Sequence, residues 1–128
     1  MRENKFKAWN KVEKKMGVVR ILDFVCEMVQ VKTENKFSTW GFEYIELMEY
    51  TGRKDINEQE IYEGDILNIG DGKVPTLIKW ENENAKFIAV NLKRREEHDF
   101  DKYFYRFIGE IIGNIYENPE LLENKWKQ

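Results

Sequence analysis

The apolar and polar positions of this chain alternate mostly at period two. Lys5-Phe6-Lys7-Ala8-Trp9 places charge between apolar side chains, the pattern of a strand with one wet face. Residues 10–16 are polar and lysine-rich and predict a turn. Residues 18–31 fit two periods at once. Val18, Ile21, Leu22, Val25 and Val29 recur at helical spacing, whereas Leu22, Phe24, Cys26 and Met28 alternate as on a strand. The β-branched content of the stretch favours strand. Trp40, Phe42, Tyr44, Met48 and Tyr50 form a further alternating set, broken at Glu46 and ended by Thr51-Gly52.

The second half is punctuated more clearly. Residues 55–59 are polar and turn-rich, and Tyr62-Glu63-Gly64-Asp65 predicts a tight turn into a strand over 66–69. Gly70-Asp71-Gly72-Lys73 then supplies the positive φ values that a hairpin needs. The return strand spans 74–80, with Pro75 at its start or on an edge because proline has no N–H. A turn at 81–84 leads to a strand over 85–92, which completes an antiparallel meander. The charged run 93–101 predicts a surface loop. Residues 103–116 return to aromatic and β-branched types, with Gly109 and Gly113 marking bends or bulges. Asn118 as N-cap and Pro119 at the first position predict a short C-terminal helix. The expected fold is mainly β, a small barrel or roll with extra strands before it.

Composition narrows this picture. The chain has 128 residues, suited to a single domain over 1–128, and its 41% hydrophobic share can fill a core. The charged share of 35% exceeds the usual ~25%, so much of the surface is solvated charge. One cysteine, Cys26, cannot form an internal disulfide and is expected to be buried and inert. No signal-peptide pattern opens the chain and no run approaches the ~20 apolar residues of a membrane span, so a cytoplasmic location is expected. The net charge of −3 argues against a nonspecific nucleic-acid coat. The charge is uneven, however. Arg2, Lys5, Lys7, Lys11, Lys14, Lys15 and Arg20 face only Glu3 and Glu13 in the first twenty residues, a basic patch on an acidic body or a lysine-rich edge.

No catalytic signature emerges. The lone His98, in Glu96-Glu97-His98-Asp99-Phe100-Asp101, has no second histidine to complete a zinc site and is expected on a solvated loop. Gly70-Asp71-Gly72-Lys73 lacks P-loop spacing and joins strands, and no nucleophile elbow is present. The sequence therefore implies no catalytic residue, metal, cofactor, small-molecule substrate or membrane contact. Two stretches, 5–9 and 102–107, mix bases with rings, and Lys93-Arg94-Arg95 lies close to the second. Single-strand binders combine these types, although barrel cores consume aromatics too. The binding candidates, for nucleic acid or a partner, are Lys5, Lys7, Trp9, Lys11, Lys93, Arg94, Arg95, Tyr103 and Tyr105.

Three ordered stretches carry a family resemblance. They are residues 1–11 with Lys15-Met16; Leu47-Met48-Glu49-Tyr50-Thr51-Gly52-Arg53-Lys54-Asp55 continuing through Glu60-Ile61-Tyr62-Glu63-Gly64-Asp65-Ile66; and Gly113-Asn114-Ile115-Tyr116-Glu117-Asn118-Pro119-Glu120-Leu121-Leu122. Together they resemble the YopX family of phage and prophage proteins over nearly the whole chain. One departure is Asn57-Glu58, where the family often has an Asn-Gly turn. The resemblance implies a phage or prophage origin, hence the cytoplasm of an infected or lysogenic bacterium. It also implies an SH3-like barrel or roll over about 46–123, preceded by strands in 1–45. It carries over no activity and no site residue. The motif residues have physical roles of their own: Gly52 and Gly64 for backbone needs, Asp65 as a turn cap, and Tyr50, Tyr62 and Tyr116 at half-buried positions.

Three functions compete. A non-enzymatic interaction or self-association module, whose partner is a phage or host protein or the chain itself, is favoured by the aromatics and the missing catalytic signatures. A nucleic-acid-binding accessory protein would use the basic N-terminal segment. A metal-dependent hydrolase built from scattered carboxylates has the least support.

Overall fold

The computed structural model describes residues 3–70, 72–106 and 109–122, apart from the side chains of 104–106. Two compact units divide the chain, Met1–Tyr50 and Thr51–Gln128.

The first unit is an antiparallel sheet of β1 (Phe6–Asn10), β2 (Lys15–Asp23), β3 (Met28–Thr33), β4 (Lys36–Gly41) and β5 (Ile45–Lys54), which continues into the second unit. The strand order is β4-β3-β2-β1-β5. Ala8, Val29, Val31, Trp40 and Ile45 form its core, with Val19, Leu22, Phe42 and Leu47 packed against them. Gly17 allows the close approach this needs. A Cβ there would lie 2.9 Å from Val31 Cβ and 3.2 Å from the Trp40 ring.

Residues 18–31 are neither one strand nor a helix but two strands and a turn. Val19 pairs with Val31 and Ile21 with Gln30, so Arg20 is an extra, bulged residue. The bulge puts Val19 and Leu22, three apart, against the same core. That spacing explains why the stretch imitates a helix. The chain then reverses because the Asp23 carboxylate accepts the N–H groups of Val25 (3.0 Å) and Cys26 (2.9 Å). Cys26 lies exposed in this turn, not buried as expected, because the turn carries it off the sheet.

In the second unit, β6 (Glu60–Tyr62) lies beside β5. A five-stranded antiparallel sheet follows, from β7 (Asp65–Ile69), β8 (Val74–Glu81), β9 (Lys86–Asn91), β10 (Glu96–Asp99) and β11 (Gly109–Asn114). Its order is β10-β9-β8-β7-β11. The expected meander is present, with Pro75 at the second position of β8. Two expectations need correction. Residues 93–101 are not one loop, since they contain β10 and the start of helix α1 (Phe100–Arg106), and 103–116 holds that helix before β11. The reason is Phe100, 1% exposed and packed with Ile61, Leu67, Ile69, Ile78, Phe87 and Ala89. A seven-residue helix is too short to stand alone, so this anchor holds it to the sheet. The expected bulge near Gly113 appears as a register shift between Ile111 and Gly113.

The C-terminal element is a 3-10 turn, Pro119–Leu122. Asn118 does not cap it through its side chain. Its Oδ1 accepts the Asn114 N–H instead (3.2 Å). Leu121 and Leu122 pack on a smaller core of Ile66, Leu77 and Leu92. Among the described residues the protein is mainly β, with two antiparallel sheets that do not close, and no helix is long and apolar enough to cross a membrane.

Candidate functional site

One turn design recurs at strand ends. Asn10 accepts the N–H groups of Val12 and Glu13, Asn91 those of Lys93 and Arg94, and Asn114 those of Tyr116 and Glu117. Asp23 does the same in its own turn. Asp55 extends the device: one oxygen accepts from Asn57 (2.8 Å) and Gln59 (2.9 Å), and the other accepts from Ile111 (3.0 Å), 56 residues away. Asp65 caps its turn as the sequence predicts, taking the Tyr62 N–H at 2.8 Å. Tyr50 and Tyr62 are fully buried rather than half-buried, at 4% and 3% exposure. Within the stretches that carry the family resemblance, Asp55, Asp65 and Asn114 thus bind backbone, and Tyr50 and Tyr62 are buried.

The N-terminal candidates are held by other groups. Trp9 is 8% exposed, so its ring belongs to the interior and is not a platform for a base. Lys5 lies 3.2 Å from the Glu3 carboxylate and 5.5 Å from the Tyr50 ring centre. Lys11 pairs with Glu46 at 3.8 Å. Lys7, in β1 opposite Val18 and Met48, also has partners.

The second group converges on a groove. Lys93, Arg94 and Tyr103 line a depression of about 340 Å³ with Asn91, Gly70 and Gly72, over Ile69 and Val74. Sheet geometry assembles it. The β7–β8 and β9–β10 turns emerge at the same end of the meander, where the Leu92 N–H meets the Pro75 carbonyl at 3.0 Å. The Asn91 carboxamide oxygen fixes the Lys93 and Arg94 amides, both at 3.0 Å, and the chain leaves through Arg95 at φ 61°. Among the described residues neither Lys93 nor Arg94 has an ion-pair partner, and no carboxylate lines the groove. Asp71, between the two glycines, lies outside the described residues. Tyr103 stacks on His98 with ring centres 4.7 Å apart and planes within 6°. His98 is therefore a half-exposed strand residue and not part of a loop. Tyr105 falls in α1, but its side chain lies outside the described residues.

A second surface was not anticipated. Val18, Ile21, Met28 and Phe37 are 48%, 53%, 37% and 60% exposed, and all lie on β2, β3 and β4. They occupy the face opposite the core, in rows that pair Val18 with Lys32, Lys32 with Phe37, and Ile21 with Gln30. The bulge at Arg20 hides this face from a period-two count. Among the described residues no three His, Cys, Asp or Glu side chains are placed to hold a metal ion.

These features describe a mainly β protein with two open antiparallel sheets, a basic groove and a bare apolar sheet face. The sequence profile of the YopX protein family matches residues 5–123, and the chain belongs to that family. Its fold is similar to the crystal structure of protein EF1440 from Enterococcus faecalis, at 25% identity and a TM-score of 0.62, over 96% of this chain and 100% of that one. No curated protein matches the chain significantly.

Proposed function

We propose that this YopX-family chain is a phage- or prophage-encoded, non-enzymatic interaction module of the host cytoplasm whose partner is a second copy of itself. The second unit acts as its SH3-like roll. Support for the roll comes from a four-stranded meander, a helix before the last strand, and the return of that strand to the first, β11 to β7.

The observation that carries self-association is the outer edge of β4. Among the described residues this strand ends its sheet, and one row of its N–H and C=O groups has no strand beside it. Its sequence, Lys36-Phe37-Ser38-Thr39-Trp40-Gly41, has one charge and no proline. Natural edges are usually blunted by charge, proline or bulges, and here Lys36 at the first position is the one such device, with no register shift along the strand. Antiparallel pairing with the same strand of another copy satisfies the edge and brings two Phe37 side chains beside the apolar rows.

Sedimentation velocity over a concentration series tests this. The wild-type chain is expected to dimerise, and Thr39→Lys or Phe37→Lys to remain monomeric with an unchanged circular dichroism spectrum. A wild-type monomer at the highest soluble concentration, or dimers of both variants at wild-type strength, overturns it.

A further inference from the structure

We infer that two copies of the chain pair β4 in a single register, Thr39 against Thr39 on a two-fold axis, and that Gly41 is the recognition residue, an open place on the strand filled by Phe37 of the second copy. This rests on the self-association proposed above and specifies its geometry.

The register follows from hydrogen-bond parity. The Phe42 N–H donates to the Glu27 carbonyl at 2.9 Å, one step beyond the Met28–Gly41 pair. Bonded and non-bonded pairs alternate along an antiparallel ladder. Trp40, Ser38 and Lys36 therefore bond inward to β3, while Gly41, Thr39 and Phe37 turn their N–H and C=O groups to the open edge. Antiparallel pairing about Thr39 sets Phe37 against Gly41 on both sides of the axis and uses every outward residue of both strands. Moving the axis to Ser38 or Trp40 carries Gly41 or Phe37 past the end of the opposing strand. Charge agrees with the antiparallel sense. Lys36 opens the strand and Glu43 follows it, both exposed, and among the described residues neither has an ion pair. Antiparallel pairing brings each end beside its opposite, whereas parallel pairing would set like beside like.

Nothing in its own chain requires glycine at position 41. A φ of −72° and a ψ of 149° are ordinary extended backbone. Beyond its chain neighbours, a Cβ there would come no nearer to a described atom than 3.4 Å, at the Glu43 Oε1, with the Tyr44 ring next at 3.5 Å. These are normal contact distances. Gly17 differs, since a Cβ there would press to 2.9 Å from Val31. A glycine inside a strand weakens it and often marks close approach of another backbone or ligand. Gly41 shares a face with Thr39 and Phe37 and lies directly across from Met28. Met28 and Tyr44, 37% and 48% exposed, flank the gap. A phenyl ring from across the axis fills it, between a tyrosine ring and a thioether of the kind that packs well on aromatics.

Disulfide trapping reads the register. In a Cys26→Ser background, Thr39→Cys sets two thiols across the axis with Cα atoms about 5.5 Å apart, within disulfide reach. It is expected to crosslink under mild oxidation faster than Phe37→Cys or Ser38→Cys. Sedimentation velocity reads the glycine. Gly41→Ala is expected to weaken dimerisation at least about fivefold and Gly41→Val at least about twentyfold, because each overfills the place of the ring. Under monomeric conditions their urea midpoints should equal or exceed that of the wild-type chain, since a side chain strengthens a strand that glycine weakens. A monomeric wild-type chain overturns this inference together with the self-association beneath it. A wild-type dimer that crosslinks best at position 37 or 38 overturns the register alone. Dimers of both Gly41 variants at wild-type strength, or lowered urea midpoints for both, overturn the role of Gly41 and leave β4 pairing in place.

Discussion

The two units leave different things uncovered. In the first, Lys5, Lys11 and Lys15 all sit beside carboxylates, yet the unit carries every large exposed apolar side chain described except Ile56. In the second, the apolar side chains are gathered into two cores, one around Phe100 and one around Ile66, Leu77 and Leu92, while Lys93, Arg94 and Lys73 stand without ion pairs among the described residues. Exposed ion pairs add little stability, ~0–1 kcal/mol, so the lysine pairs of the first unit matter mainly by neutralising charge. Bare apolar surface recruits protein, and bare positive charge recruits phosphate.

The largest test of this contrast concerns stability. Phe100→Ala empties the anchor of α1 and is expected to cost ~3–5 kcal/mol. Ile21→Thr, on the open face of the first unit, should change stability by less than ~0.5 kcal/mol. Urea titration measures both, and similar losses would mean that the face of Ile21 is covered in solution. Next comes Asp55→Ala, which strips the acceptors from three N–H groups and is expected to cost about 2 kcal/mol or more. Asp55→Asn keeps one oxygen and should lose less. A neutral Asp55→Ala would show that water replaces those bonds freely.

The smallest effect concerns Cys26. The Asp23 carboxylate hydrogen-bonds the thiol and opposes its thiolate, which raises the thiol above its ordinary value. Asp23 itself is held below the usual carboxylate range, first by the Cys26 N–H, and stays charged at neutral pH. Alkylation of Cys26 should therefore accelerate only at higher pH than for an ordinary thiol. Asp23→Asn should move that profile to lower pH, because the opposing charge is gone. An unmoved profile would remove Asp23 as the cause.

The meander is legible in the sequence because glycine, proline and asparagine mark each of its turns. Phe100 is not, since its neighbours Glu96, Glu97, Asp99 and Asp101 make one buried ring look like part of a wet loop. The hairpin at 18–31 is disguised by one bulged residue, which converts a period of two into a spacing of three. Lys93, Arg94 and Tyr103 are visible as candidates, but the glycines that complete their groove are not. Parity could have joined them, because alternate turns of a meander share an end. Trp9 looks the same in sequence whether it faces solvent or core, and only packing decides.

The turn at Arg95 is one of several that end in the left-handed conformation without glycine. Lys14, Glu27, Glu34, Glu58, Lys73 and Ala85 do the same, with φ between 41° and 66°. Each such residue gives up roughly 1 kcal/mol that glycine would keep. All but one of these residues is charged. Hairpin tips that bristle with like and unlike charges act as gatekeepers, discouraging disordered stacking of a strand-rich chain. Replacing them all with glycine should yield a molecule that melts later and precipitates sooner.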